Sequence, residues 1–237
     1  METLEMMKKR IGAFAPDSLP RGGGFRTQDS RSLSVKVNKE GALIPFWGNT
    51  VVFLLNEETC AWVKGVQDEL YKVCADMLCT ERLCEDTFHM TLHDLQSGAS
   101  DSDIFTRVNN TRERALEVLT EVRAEMTAPI RMRPTWAFSM VNTSIVLGLE
   151  PMTEDDCTRL MTAYERFHEV TPLSYPYLTP HITLAYYRPA EFGEEQLMRL
   201  RGVLARLSGA QKPVIELRAE DLVYQEFGSM NRYRTVR

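Results

Sequence analysis

Hydrophobic and polar positions predict two blocks of strand, helix and strand. In the first block, the β-branched run NTVVFLLN (49–56) predicts a strand, and apolar residues at steps of three and four over 57–78 predict an amphipathic helix. The alternating segment TFHMTLHDL (87–95) then predicts a second strand. The second block repeats this order with NTSIVLGLEP (142–151), a helix from Thr153 to about residue 169, and PHITLAYY (180–187).

Two landmarks recur in these blocks at nearly the same offset. Asn49 lies 93 residues before Asn142, and His89 lies 92 residues before His181. An irregular sequence rarely repeats two independent landmarks in register. We therefore infer two related halves and predict a duplicated α+β fold.

Other segments complete the predicted fold. They are a helix over 111–126, adjacent strands in 133–151 with a tight turn at Val141 and Asn142, a helix from Pro189 to about Gly209, and two strands in 212–227. Residues 1–34 include a segment rich in glycine, serine and arginine and show no apolar periodicity. We predict an N-terminal extension over 1–34 and one domain over 35–237.

Composition and charge narrow the class of protein. The 237 residues are 43% hydrophobic and 26% charged, which is typical of a packed globular chain. The formal net charge of −5 disfavours long nucleic acids, and the apolar run VVFLL is far shorter than the roughly 20 residues of a membrane span. The N-terminus lacks a signal-peptide pattern, and the five cysteines form no CxxC pair. We expect a cytoplasmic monomer that binds small ligands.

The phrase His-x-Thr-Leu occurs once in each half. Alternate side chains of a strand share a face, so His89 lies beside Thr91, and His181 lies beside Thr183. If the halves pack about an approximate two-fold axis, the two pairs face each other across a cleft. One imidazole can then accept a proton while the other donates one, and the hydroxyls can donate to phosphate oxygens. This chemistry suits in-line displacement at phosphorus and requires neither a metal nor a cofactor.

The paired motifs resemble those of the 2H phosphoesterase superfamily, which includes RNA 2′,3′-cyclic phosphodiesterases and bacterial proteins once named 2′,5′-RNA ligases. The segments KEGALIPFWGNTVV, FHMTLHD and PHITLAYY are most similar to an uncharacterised branch, and the resemblance runs from about residue 38 to the C-terminus. It implies a bilobal α+β fold, with an antiparallel-rich sheet and helices in each lobe and the active-site cleft between the lobes. It also implies that His89 and His181 are the acid-base pair and that Thr91 and Thr183 bind phosphate.

Two further side chains are weaker candidates for substrate binding. Tyr187 falls on the predicted cleft face of its strand, where it could stack on a base or pack in the core. His93 shares the predicted face of His89 and could assist there or be a solvated residue at the strand end. The spacing of His89 and His93 also matches a helical zinc pair, but the HExxH glutamate is missing and the neighbours favour a strand.

The sequence thus predicts a metal-independent phosphodiesterase that acts on a nucleotide or an RNA end, with a 2′,3′-cyclic phosphate as the first candidate substrate. An alternative from another class is a non-catalytic nucleotide-binding or sensor module that uses the same cleft. A metal-dependent nuclease would need acidic ligands, and the motif strands offer only Asp94 nearby.

Overall fold

The computed structural model describes residues 1–14, 19–20, 24–99, 102–175 and 177–236. The helices in these ranges are α1 (Leu4–Gly12), α2 (Arg31–Ser34), α3 (Glu57–Cys74), α4 (Ser102–Glu125), α5 (Glu154–Val170) and α6 (Glu194–Gly209). The strands are β1 (Phe25–Arg26), β2 (Phe46–Leu54), β3 (His89–Ala99), β4 (Ile130–Met140), β5 (Ser144–Pro151), β6 (His181–Tyr186), β7 (Glu191–Phe192), β8 (Ile215–Leu217), β9 (Leu222–Ser229) and β10 (Arg232–Thr235).

The main sheet is antiparallel, with the strand order β10-β9-β2-β3-β6-β5-β4-β8. Its two halves meet at β3 and β6, where Met90 pairs with Ile182. Each half contributes four strands, and the order is symmetrical about that central pair. The duplicated α+β fold predicted from the sequence is therefore confirmed.

The halves are not consecutive stretches of chain. The C-terminal strands β9 and β10 return to the first half, where β9 pairs with β2 and β10 pairs with β9. In the second half the corresponding strands, β4 and β8, lie beyond β5. The first half is thus closed only by the last strands of the chain.

Local signals predicted several element ends correctly. The Thr153 side chain accepts a hydrogen bond from the Asp156 backbone N–H at the start of α5, as the capping pattern predicts. Val141 and Asn142 both have positive φ, at 42° and 56°, in the tight turn between β4 and β5. The helix α6 ends at Gly209, also as predicted.

Two predicted helices differ from the observed ones. The helix α4 begins at Ser102 instead of residue 111. The helix α3 ends at Cys74, where the predicted span runs to residue 78, and its buried face includes Gln67, a core position that apolar periodicity does not reveal.

Part of the segment before residue 35 packs on the core. Helix α1 buries Met7 and Ile11, and Phe25 and Leu33 are also buried. This helix was not predicted, because only two residues of its nine are buried and most of the others are polar. Residues 15–18 and 21–23 of the predicted extension lie outside the described residues. None of the helices in the described ranges has the length and apolar character needed to cross a bilayer.

Candidate active site

The two His-x-Thr motifs lie side by side at the centre of the sheet. Because Met90 pairs with Ile182 in antiparallel register, the next positions place His89 opposite Thr183 and Thr91 opposite His181. The histidines are therefore diagonal neighbours, and diagonal positions of an antiparallel pair are about 7 Å apart. One phosphate group can span that separation.

Each catalytic candidate is held by a backbone carbonyl two residues earlier. His89 Nδ1 lies 2.8 Å from the carbonyl oxygen of Thr87, and His181 Nδ1 lies 2.7 Å from that of Thr179. A carbonyl oxygen can only accept, so in both rings the proton resides on Nδ1 and Nε2 carries the lone pair of the neutral form. Both half-buried histidines line the same cleft. The site thus has two imidazoles of the same tautomer.

Burial makes both imidazoles weaker bases than usual. Desolvation lowers the pKa of His89 to about 4, although the Thr87 carbonyl and Asp94 partly oppose this change. Desolvation also lowers the pKa of His181, again opposed by its carbonyl partner and by Asp94. Both rings are consequently neutral in the free protein at pH 7. A bound phosphate would raise the pKa of both rings, because an opposite charge favours the protonated form.

The cleft has a volume of about 660 Å³ and receives side chains from both halves of the sheet. That volume is in the usual range for a small-molecule site. Thr91 and Thr183 line it beside the two histidines, so the structure brings together all four motif side chains predicted from the sequence.

Lys36 also lines this cleft and was not predicted from the sequence. Its Nζ lies 5.0 Å from the centre of the Phe46 ring and 5.6 Å from that of Tyr186. No carboxylate forms a salt bridge with it in the described part of the chain, and burial lowers its pKa. Two aromatic rings therefore hold an amino group that forms no salt bridge within those residues, and Asp94 only partly opposes the lowering of its pKa.

A β-bulge follows the threonine in each motif strand. In β3, Thr91 and His93 oppose consecutive residues of β2, which leaves Leu92 as the extra residue. In β6, Thr183 and Ala185 oppose consecutive residues of β5, which leaves Leu184 as the extra residue. Beyond each bulge the alternation of faces is shifted by one position.

The bulge in β6 corrects one prediction. Tyr187 does not line the cleft: it is fully buried and packs against Phe25 and Phe192, at ring-centroid distances of 5.5 and 6.2 Å. Tyr186 lines the cleft instead. The prediction that Tyr187 faces the cleft is wrong because simple alternation does not hold across a bulge.

The bulge in β3 has a comparable effect. Asp94, which is two residues beyond Leu92, lines the cleft and interacts electrostatically with both catalytic candidates. His93 borders the cleft but is only 1% exposed, and its ring packs against Tyr164 and His168 at 5.1 and 5.7 Å. It is therefore not a solvated residue at a strand end.

Tyr233 is a further cleft residue that no sequence signal identified. Its ring meets the His89 ring edge-on, with centroids 5.1 Å apart. The contact exists because β10, at the end of the chain, returns to the half of the sheet that holds His89.

Within the described ranges, no group of three or more His, Cys, Asp or Glu side chains is arranged to hold a metal ion.

Comparisons with known proteins support the fold. No protein-family model matches the sequence, and no curated protein matches it. Among solved structures, the conserved protein of unknown function ATU0111 from Agrobacterium tumefaciens str. C58 matches with a TM-score of 0.64 and 19% identity, over 96% of this chain and 97% of that one. TT0787 of Thermus thermophilus matches with a TM-score of 0.50 and 15% identity, over 82% of this chain and 96% of that one.

A weaker likeness is to LigT of Escherichia coli in its apo form, with a TM-score of 0.42 and 11% identity, over 82% of this chain and 96% of that one. At these sequence identities the matches establish a shared architecture alone. That conclusion rests on ATU0111 and TT0787. The chain therefore shares its architecture with ATU0111 and TT0787, and its duplicated α+β fold is the one that the resemblance to 2H phosphoesterases implied.

Proposed function

We propose that this protein is a metal-independent phosphodiesterase that hydrolyses a phosphodiester of a nucleotide or an RNA end. The observation that carries the proposal is the matched pair of imidazoles, His89 and His181, in one cleft. Each has its Nδ1 bonded to a backbone carbonyl and is left with Nε2 for proton transfer. A paired proton acceptor and donor is what hydrolysis of a phosphodiester requires.

The first candidate substrate is a 2′,3′-cyclic phosphate. A water molecule attacks phosphorus, and the neutral imidazole takes its proton at Nε2. The bond from phosphorus to the ribose oxygen breaks on the opposite side, and the protonated imidazole gives that oxygen its proton. The product is a phosphomonoester. The first imidazole has gained the proton of the water, and the second has lost the proton that it took up from solvent when the anionic substrate raised its pKa. The near-symmetrical site allows either histidine to act as the base.

The remaining cleft groups act on the phosphate. Thr91 and Thr183 have hydroxyls that can donate hydrogen bonds to the non-bridging oxygens, where negative charge is concentrated in the transition state. Lys36 supplies a nearby amino group that forms no salt bridge in the described part of the chain, and a bound phosphate favours its charged form. The aromatic rings of Tyr186 and Tyr233 offer surfaces for a base.

A substrate panel tests the proposal directly. Nucleoside 2′,3′-cyclic phosphates, 2′,5′-linked dinucleotides and an ADP-ribose cyclic phosphate would be incubated with the protein in excess EDTA, and products would be followed by ³¹P NMR. Turnover of a panel member in EDTA is the expected result. Calorimetry with the same compounds identifies the alternative, since a sensor module binds a ligand and leaves it intact. Activity that disappears in EDTA would instead indicate a metal-dependent enzyme.

A further inference from the structure

The carbonyl group that holds His89 is fixed by its own turn. Thr87 ends a 3₁₀ turn that begins at Glu85. Its backbone N–H and its hydroxyl both donate to the Cys84 carbonyl, at 3.0 and 2.7 Å. The position of the Thr87 carbonyl therefore depends on residues within a few positions of it in the chain.

The carbonyl group that holds His181 is supported from a distant part of the chain. Thr179 lies in the segment 177–180, which is neither helix nor strand. Arg10, on helix α1, reaches this segment with two nitrogens. Its Nη1 donates to the Thr179 hydroxyl at 2.9 Å, and its Nη2 donates to the Leu178 carbonyl at 2.6 Å. Arg10 thus does for the second histidine what a local turn does for the first.

The Arg10 side chain is itself held in one orientation. Its Nε and Nη2 donate to the two carboxylate oxygens of Glu2, both at 2.8 Å, and the two side chains are only 17% and 5% exposed. A bidentate pair fixes the plane of the guanidinium group and hence the direction of its remaining donors. The buried Met7 and Ile11 also attach α1 to the core, so the helix does not depend on Arg10 alone.

We propose that Arg10 is a positioning residue for His181 and that it acts through the Thr179 carbonyl. By holding Leu178 and Thr179, the guanidinium group keeps that carbonyl 2.7 Å from Nδ1 and so leaves Nε2 unprotonated for proton transfer. The effect on turnover rests on the proposed function, whereas the effect on the tautomer does not. The first helix of the chain is accordingly part of the catalytic unit, although both His-x-Thr motifs lie far beyond it.

Long-range ¹H–¹⁵N NMR spectra of the imidazole groups at pH 7 test the proposal without substrate. In the wild-type protein, His89 and His181 should both show a protonated Nδ1 and an unprotonated Nε2. In Arg10→Ala, the Nδ1 resonance of His181 should shift towards the unprotonated value, because a ring without a fixed acceptor shares its proton between both nitrogens. His89 should stay unchanged and is the internal reference.

Thr179→Val is a second variant that keeps the pair of Arg10 and Glu2. It removes only the hydroxyl that accepts from Arg10, and the bond to the Leu178 carbonyl remains. The Nδ1 resonance of His181 should therefore shift in the same direction but by less. This variant decides the question if Arg10→Ala does not fold.

Kinetics on a substrate that the protein hydrolyses give a separate measurement. Arg10→Ala should lower kcat by about 10- to 100-fold, since displacing a reacting group by about 1 Å has effects of this size. KM should change less than kcat, because Arg10 does not line the cleft. Lys9→Ala removes the neighbouring exposed cation of α1 and should match the wild-type protein. Met7→Ala weakens the packing of α1 and should lower Tm without changing the His181 tautomer.

An unchanged His181 tautomer in folded Arg10→Ala would overturn the inference, and so would an equal shift in Met7→Ala, which would assign the effect to the packing of α1. Wild-type kcat in Arg10→Ala would also overturn it and would leave the proposed function standing. In the opposite case, the His181 tautomer shifts in Arg10→Ala but the wild-type protein hydrolyses no member of the substrate panel. The positioning role is then supported and the proposed function fails.

Discussion

The carbonyl groups of Thr87 and Thr179 hold the two cleft histidines in the same tautomer. Each carbonyl holds Nδ1 and leaves Nε2 free for proton transfer. Because neither ring can be replaced by its neighbour, His89→Ala and His181→Ala should each lower kcat by about 10²- to 10⁴-fold. Steady-state hydrolysis of a cyclic phosphate measures the loss.

The control for these variants is Tyr187→Phe. Tyr187 lies outside the cleft, and its buried hydroxyl interacts with Ser139 and not with either cleft histidine. Removing that hydroxyl should therefore leave kcat/KM unchanged. Full activity in His181→Ala would rule out the two-histidine mechanism.

The pH dependence follows from the lowered pKa of each cleft histidine. The base acts when neutral, above its pKa, and the acid acts when protonated, below its pKa. Burial lowers the pKa of His89 to about 4 and also lowers that of His181. Both limbs of the kcat/KM profile should therefore occur at pH values below about 6.5. The kcat profile should lie at higher pH, because bound phosphate raises both pKa values.

Initial rates between pH 3.5 and 9 at low and saturating substrate separate the two profiles. An alkaline limb of kcat/KM above pH 8 would contradict the assignment of the histidines as the titrating groups.

His93 makes the folded protein less stable at acid pH, which is the opposite of what a histidine in a salt bridge does. Burial lowers its pKa to about 4, whereas an unfolded histidine titrates near 6.5. Between these values the unfolded state binds more protons, so stability falls as pH falls from about 6.5 to 4. His93→Phe should remove up to about 3 kcal/mol of this acid-induced loss. Urea unfolding at pH 7 and pH 4.5 compares the variant with the wild-type protein, and equal acid losses in the two would disprove the prediction.

At the scale of elements, the bulge in β6 depends on helix α3. Leu184 is the residue that the bulge leaves unpaired, and its carbonyl accepts a 3.0 Å hydrogen bond from Nε2 of Gln67. The same amide group donates to the Leu83 carbonyl at 3.1 Å. A buried glutamine thereby connects α3 to the strand that carries His181 and Thr183.

Gln67→Met should destabilise the protein by about 2–4 kcal/mol, because it leaves two buried carbonyl groups without their partner. It should also lower kcat, since the second motif strand loses its support. Lys64→Met, at a partly exposed position of the same helix, is the control and should change stability by less than about 0.5 kcal/mol. Chemical denaturation measures both variants, and equal stability of the two would show that the bulge does not need Gln67.

At the scale of the whole molecule, the first half is completed only by the C-terminal strands. Without β9, strand β2 would become a sheet edge, although Val51, Val52 and Phe53 are all fully buried. A chain truncated to residues 1–221 should therefore fail to fold cooperatively and should aggregate. Size-exclusion chromatography and thermal unfolding test this, and a monomeric fragment with a sharp transition would show that the halves are independent.

The sequence by itself determined the features that depend on interactions between residues close together in the chain. The capping threonine of α5, the positive-φ turn before β5, and the paired His-x-Thr phrases all depend on neighbouring residues. They sufficed to predict the duplicated fold, and they identified four side chains that the structure brings into one cleft. Periodicity works where hydrogen bonding is regular and each face has one environment.

Only the tertiary structure decided which other side chains reach the cleft. The bulges that bring Asp94 and Tyr186 to it are set by pairing with β2 and β5, and Tyr233 arrives through a strand from the far end of the chain. Lys36 is held by rings from two separate strands. These placements depend on contacts between residues far apart in sequence, and such contacts leave no periodic signal in any one segment.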